Sequence, residues 1–201
     1  MGDNRRSHAA DLALLFGSFG AVVLTYQSWG LAAAVAAAIF AGLVGLRRGL
    51  SLPLAVAASS AAGAALVHFA VAPEHFGEWW GFGLFFVLCG EAQLGWALLL
   101  DRHHGRRMLA AGIAGSLLLV GLWAFSRTTG LPFGPEPGVP EAAGVPDLAS
   151  VMFELFTAGA CAWALFVPRR ASGGLAVPVR AFGLIGTVVL TAWALLSVGS
   201  A

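Results

Sequence analysis

Long apolar stretches separated by short polar connections dominate the chain, and seven of them approach the ~20 residues that a helix needs to cross a bilayer. They run over residues 11–27, 30–46, 52–71, 77–100, 108–126, 149–167 and 179–198. Lipid offers no partner to a backbone N–H or C=O, so spanning segments of this length must satisfy their own hydrogen bonds as helices. The pattern predicts an all-α membrane protein, a seven-transmembrane-helix bundle, with residues 1–201 forming a single transmembrane domain. Boundary chemistry fits these limits. Ser51 and Pro53 suit a helix start, Pro73 the first turn of the fourth span, Asp147 the cap of the sixth, and Pro168 its end.

Composition removes the soluble alternatives. The 201 residues are 59% hydrophobic and 10% charged, whereas a soluble domain carries roughly 25% charged residues. The bilayer is therefore the first partner. All the basic residues are arginine, and ten of the eleven fall on alternate connections: Arg5, Arg6, Arg47, Arg48, Arg102, Arg106, Arg107, Arg169, Arg170 and Arg180. Only Arg127 falls on the other side. The positive-inside rule then puts the N-terminus in the cytoplasm and the C-terminus outside it. High alanine and glycine with no lysine points to a GC-rich bacterium, so the expected location is the bacterial cytoplasmic (inner) membrane. Short arginine pairs beside apolar runs form no continuous basic patch, so no nucleic-acid partner is expected.

The proline-rich outer loop, 127–148, holds Pro132, Pro135, Pro137, Pro140 and Pro146, and is expected to be an extended cover rather than a helix. The first three spans are rich in alanine and glycine, small surfaces that let helices approach closely in lipid.

The candidate chemistry gathers at the predicted outer ends of the third to sixth spans. The stretch AALVHFAVAPEHFGEWW places His68 at the end of the third span and His75 at the start of the fourth, after a tight connection at Pro73. His75 and Glu78 are three apart and share a helix face. Asp147, Glu154 and Cys161 recur every seven residues, a spacing that returns to within ~20° of the same face. A carboxylate as deep as Glu154 is costly in lipid and normally meets a partner or a wet cavity.

Imidazole with carboxylate is a ligand set for a transition metal ion, zinc, copper, iron or manganese. The expectation is an extracytoplasmic-facing metal site of His68, His75, Glu78 and Glu154, with Glu74, Asp147 and Arg127 at the rim or behind the ligands. Glu91, on another face of the fourth span, is a candidate proton relay.

Other chemistries are closed by what the chain lacks. Seven spans invite a retinal protein, but no lysine exists to form the Schiff base, so no retinal is expected. Cys89 and Cys161 lie inside apolar runs and form no C-x-x-C motif. His103 and His104 sit in a basic inner connection suited to solvent and lipid headgroups.

The stretches HFAVAPEHFGEWWGFGLFFVLCGEAQLGWA and SRTTGLPFGPEPGVPEAAGVPDLASVMFELF resemble segments of uncharacterised multi-pass integral membrane proteins of high-GC bacteria. The resemblance covers about a third of the chain and carries no activity across. Three functions fit the residues: a metal-dependent membrane enzyme or metal-handling protein; a proton-coupled small-molecule carrier using Glu91 and Glu154; and a non-catalytic subunit that packs against a membrane-protein partner, or another copy of itself, through its alanine-rich helices.

Overall fold

The computed structural model describes residues 38, 39, 41–44, 50–100, 102–167 and 176–198, and among them the chain is helical with no strand. Residues 38, 39 and 41–44 are helical; the apolar run 11–27 and most of 30–46 lie outside the described residues. Five helices follow: α1 (Leu52–Glu78), α2 (Trp80–Leu99), α3 (Arg106–Thr128), α4 (Val145–Phe166) and α5 (Ala176–Ser197). The first four of these are long and apolar enough to cross a membrane. The protein is a multi-pass helical membrane protein.

Two boundaries differ from the sequence expectation: α4 begins at Val145 with Gly144 as its N-cap, so Pro146 and Asp147 lie in its first turn and Asp147 is the third helical residue rather than the cap, and the turn expected at Pro73 is displaced. Pro73 does not open a new helix; it lies inside α1, which continues to Glu78. The break falls at Trp79, a single extended residue (φ −162°, ψ 132°) from which α2 starts at once. A proline inside a soluble helix costs about 3 kcal/mol, but in a membrane bundle neighbouring helices and local adjustment re-satisfy the freed backbone. Gly81 leaves the space the Trp79 ring occupies, since a Cβ there would lie 2.3 Å from the indole. His68 and His75 therefore belong to one helix, two turns apart, and not to two spans.

α1 is the centre of the described bundle. Of its most apolar stretch 89% is buried, against 28%, 17% and 44% for α2, α3 and α4. The reason is its composition. Alanines 55, 57, 58, 61, 62, 64 and 65 and Gly63 leave no wide side chains, so α2, α4 and α5 can close on it from several sides. The alanine-rich surface proposed above for a partner is, on α1, covered by the chain's own helices.

Aromatic rings from one helix fill the notches left by glycines on the next. Phe69 lies where a Cβ on Gly90 would come within 2.4 Å, and Phe76 lies where one on Gly83 would come within 2.2 Å. The two pairs are one heptad apart on both helices, so they fix the antiparallel register of α1 and α2. Phe153 of α4 meets Gly63 of α1 in the same way, and Trp96 of α2 meets Gly112 of α3. Large apolar side chains such as Leu117, Leu118, Phe156 and Phe166 remain exposed on α3 and α4, as a lipid-facing surface requires.

The notches give a direct test. Gly90→Ala forces the Phe69 ring to move and is expected to destabilise the protein by about 1–3 kcal/mol, the usual cost of overpacking. Gly115→Ala, with nothing within 4 Å of the new methyl, is expected to leave stability unchanged or slightly raised. Thermal unfolding of the two variants in detergent measures the contrast.

Candidate functional site

Each of the four spanning helices carries a heptad pair of functional or aromatic side chains: His68 and His75 on α1, Phe86 and Gln93 on α2, Ser116 and Trp123 on α3, and Asp147 and Glu154 on α4; six of them line one cavity, and Gln93 and Ser116 do not. Seven residues keep a pair within ~20° of one face while separating its members by about 10.5 Å along the axis. The eight side chains thus form two levels, one near the end of the bundle that carries the 129–144 connection and one deeper.

Glu154 is the centre of the deeper level. It lies about 13 Å from the start of α4 at 1.5 Å per residue and is only 4% exposed. Gln93 Nε2 donates to Glu154 Oε1, and the Ser116 hydroxyl reaches the same carboxylate. His68, 7% exposed, brings Nε2 to 4.0 Å from Glu154 Oε1. That is too long for a hydrogen bond, and Nε2 has no hydrogen-bond partner among the described residues. One buried carboxyl group is therefore faced by side chains of three other helices.

The level nearer the loop is held by different forces. His75 stacks on Phe86 with ring centroids 4.2 Å apart and planes inclined by 13°, and its Nδ1 lies 2.8 Å from Glu78 Oε2. Phe86 also touches His68, at 5.6 Å between centroids. Arg127 lies between two acids, pairing with Glu141 through Nη1 and with Asp147 Oδ1 through Nη2 at 2.9 Å. Asp147 in turn accepts from the Gly144 backbone N–H at 2.7 Å, which fixes the start of α4. The connection folds over the bundle end, with Phe133 against Trp79 and Phe82. Gly130 permits the fold: its φ is 72°, and a Cβ would lie 2.5 Å from the backbone of Gly138.

Between the two levels lies a cavity of about 120 Å³ bounded by all four spanning helices. Its walls are chiefly apolar, with Phe82, Phe85, Phe86 and Trp123 prominent, and its polar lining includes His68, Arg127, Ser150 and Glu154. A wider vestibule of about 830 Å³ lies under the connection and includes Glu74, His75, Glu78, Glu141 and Asp147. An acid and an imidazole at the floor of an apolar chamber can exchange protons with whatever occupies it.

The structure divides the four expected metal ligands into two pairs. His68 approaches Glu154, and His75 bonds to Glu78, but Phe86 and two helical turns separate the pairs. Among the described residues no group of three or more His, Cys, Asp or Glu side chains is placed to hold a metal ion. Arg127 and Asp147 stand at the cavity rim, and Glu74 in the vestibule. Glu91 is not among the residues lining either space; its Oε2 is buried without a hydrogen-bond partner. Cys89 and Cys161 are both free. Gln93, Ser116, Trp123, Ser150 and Glu141 went unrecognised in the sequence; for the first three the heptad companions on their own helices were the available signal.

No protein-family model, curated protein or solved structure matches the chain.

Glu154→Leu leaves the amide of Gln93 without its acceptor, and is expected to cost about 1–3 kcal/mol of stability. The double variant Gln93→Leu, Glu154→Leu removes a stranded partner and is expected to recover part of that loss. Chemical or thermal unfolding of the single and double variants measures the coupling.

Proposed function

We propose that this protein binds a small, mainly apolar molecule in the four-helix cavity and couples its occupancy to proton exchange at the His68–Glu154 pair, as a proton-coupled carrier would. The observation that carries the reading is the pair itself: a buried carboxyl and an unpartnered imidazole nitrogen 4.0 Å apart at the cavity floor. Buried ionisable groups inside a membrane bundle are costly and mark substrate or proton paths. Glu154, which lines the chamber, fits this role better than Glu91.

In the full chain the helices form a seven-helix bundle in a bacterial inner membrane, with the N-terminus cytoplasmic and the C-terminus extracytoplasmic. Support comes from the arginines. Arg102 lies between α2 and α3, and Arg106 and Arg107 open α3, at the end opposite the cavity, while among the described residues Arg127 is the arginine at the cavity end. The chamber then opens toward the extracytoplasmic side.

A transition-metal site is a second reading, and the free His68 Nε2 favours it. Metal bonds of about 2.0–2.1 Å at a tetrahedral angle span roughly 3.4 Å, so a shift of about 0.6 Å would let His68 and Glu154 share an ion. Elemental analysis of the purified protein decides this reading: a stoichiometric metal, lost in both His68→Ala and Glu154→Gln, supports it, and metal-free protein removes it.

Benzene is a suitable probe of the coupled-cavity reading, because a cavity of about 150 Å³ is known to take it up. Infrared difference spectra across a pH titration are expected to contain a carboxyl band that disappears in Glu154→Gln. Saturation with benzene is expected to move the midpoint of that band. A benzene titration that saturates while the midpoint stays fixed would remove the coupling, and the absence of saturable benzene binding would remove the cavity as a ligand site.

A further inference from the structure

We infer that the Arg127 side chain is the gate between the vestibule and the chamber, and that its release from Glu141 and Asp147 lets water reach Glu154 from the loop end of the bundle. The inference rests on the proton-exchange reading of Glu154 and goes further by naming the route and what closes it.

The two spaces adjoin. His75, Phe82, Arg127, Leu131, Glu141 and Asp147 line both of them, so these side chains form the partition. Glu154 lines the chamber and not the vestibule, two helical turns or about 10.5 Å below Asp147. The walls between those levels are chiefly apolar, with Phe85, Phe86 and Leu119 among them. Water entering from the vestibule finds polar groups at both ends of the chamber, Arg127 at the top and Glu154 at the floor, as an interior water needs.

Within the partition the movable part is a side chain rather than the loop. The connection is stitched down without the guanidinium: the Glu141 N–H donates to the Ser126 carbonyl at 3.2 Å, the Gly138 N–H donates to the Leu131 carbonyl at 2.8 Å, and Phe133 rests on Trp79 and Phe82. His75 is held by Phe86 and Glu78. Arg127 is held less firmly. It pairs with Glu141, pairs with Asp147 at 2.9 Å and donates from Nη1 to Ser126 Oγ at 3.1 Å. The Glu141 side chain is 45% exposed in its pair, and an ion pair open to solvent is weakly held and screened by salt. Once that pair parts, the long arginine side chain can turn outward. There Glu74 and Glu136 line the vestibule and form no ion pair among the described residues. The guanidinium therefore has two resting places, one sealing the chamber and one opening it.

Charge gives the closed position its effect. A guanidinium at a constriction opposes the entry of protons and cations, so with Arg127 in place Glu154 keeps its protonation state. A carrier needs that control, because an acid always open to one side could not tie proton movement to cargo.

Infrared spectra of the full-length protein in lipid nanodiscs, recorded after a switch from H2O to D2O, time the exchange of the carboxyl band that Glu154→Gln removes. Arg127→Gln is expected to speed that exchange about tenfold, and Glu141→Gln, which leaves the Asp147 pair, by a smaller factor. In the unaltered protein, raising the salt from about 0.01 M to about 1 M shortens the screening length from about 30 Å to about 3 Å and is expected to speed exchange too. In Arg127→Gln the same change is expected to have no effect. Amide exchange in the same spectra reports general loosening and is expected to keep the wild-type rate in both variants. Equal carboxyl exchange in wild type and variants, a wild-type rate indifferent to salt, or parallel acceleration of the amides would overturn the gate and leave Glu154 as the exchanging group. Absence of any band that Glu154→Gln removes would overturn the proton-exchange reading, and the gate with it.

Discussion

A carboxyl group in the interior of a membrane bundle has to be met by protein, because lipid cannot hydrogen-bond to it. Glu154 is that group here, and meeting it ties the spanning helices together. Gln93 from α2 donates to it, Ser116 from α3 reaches it, and His68 from α1 faces it. A slip of any of these helices by one residue would rotate its contributing side chain by about 100° and leave polar atoms exposed to hydrocarbon. The requirement thus selects register as well as proximity, which apolar packing alone does less sharply in a medium as apolar as the side chains themselves.

Packing reinforces the same register from the other side of α1. Phe69 and Phe76 enter the spaces at Gly90 and Gly83, while His68 and His75 point to the polar cavity one residue round the helix. Adjacent residues on α1 therefore serve opposite purposes: 69 and 76 anchor α2, and 68 and 75 line the chamber that α2 helps to enclose. The chamber's geometry is a by-product of the anchoring contacts, so substitutions at the glycine notches would distort the polar site without touching it.

The length and apolarity of the runs made the spanning helices legible in the sequence, since lipid leaves a backbone no other option. The deep acid was legible for a related reason, as charge inside an apolar run stands out. Pro73 misled because its cost in a soluble helix does not transfer to a packed membrane helix, and Trp79 carries no breaker chemistry to mark the true turn. That error placed His68 and His75 on separate helices and made four converging ligands look natural. Gln93, Ser116 and Trp123 were passed over because uncharged polar residues are common in such helices. Only their heptad companions give them away, and recognising which faces oppose each other needs the tertiary register.

Arg127 converts the proline-rich connection into a clasped ring. Its guanidinium joins Glu141, near the far end of that connection, to Asp147, the residue that fixes the start of α4. Residues inside the ring are thereby relieved of the duty of positioning the next helix, so this stretch can change in length or sequence at little entropic penalty. The clasp itself has no such freedom: lysine offers a single point charge where two carboxylates are gripped by separate nitrogens. Variation among versions of this protein would then concentrate between the two ends of the ring and stop abruptly at its fastening.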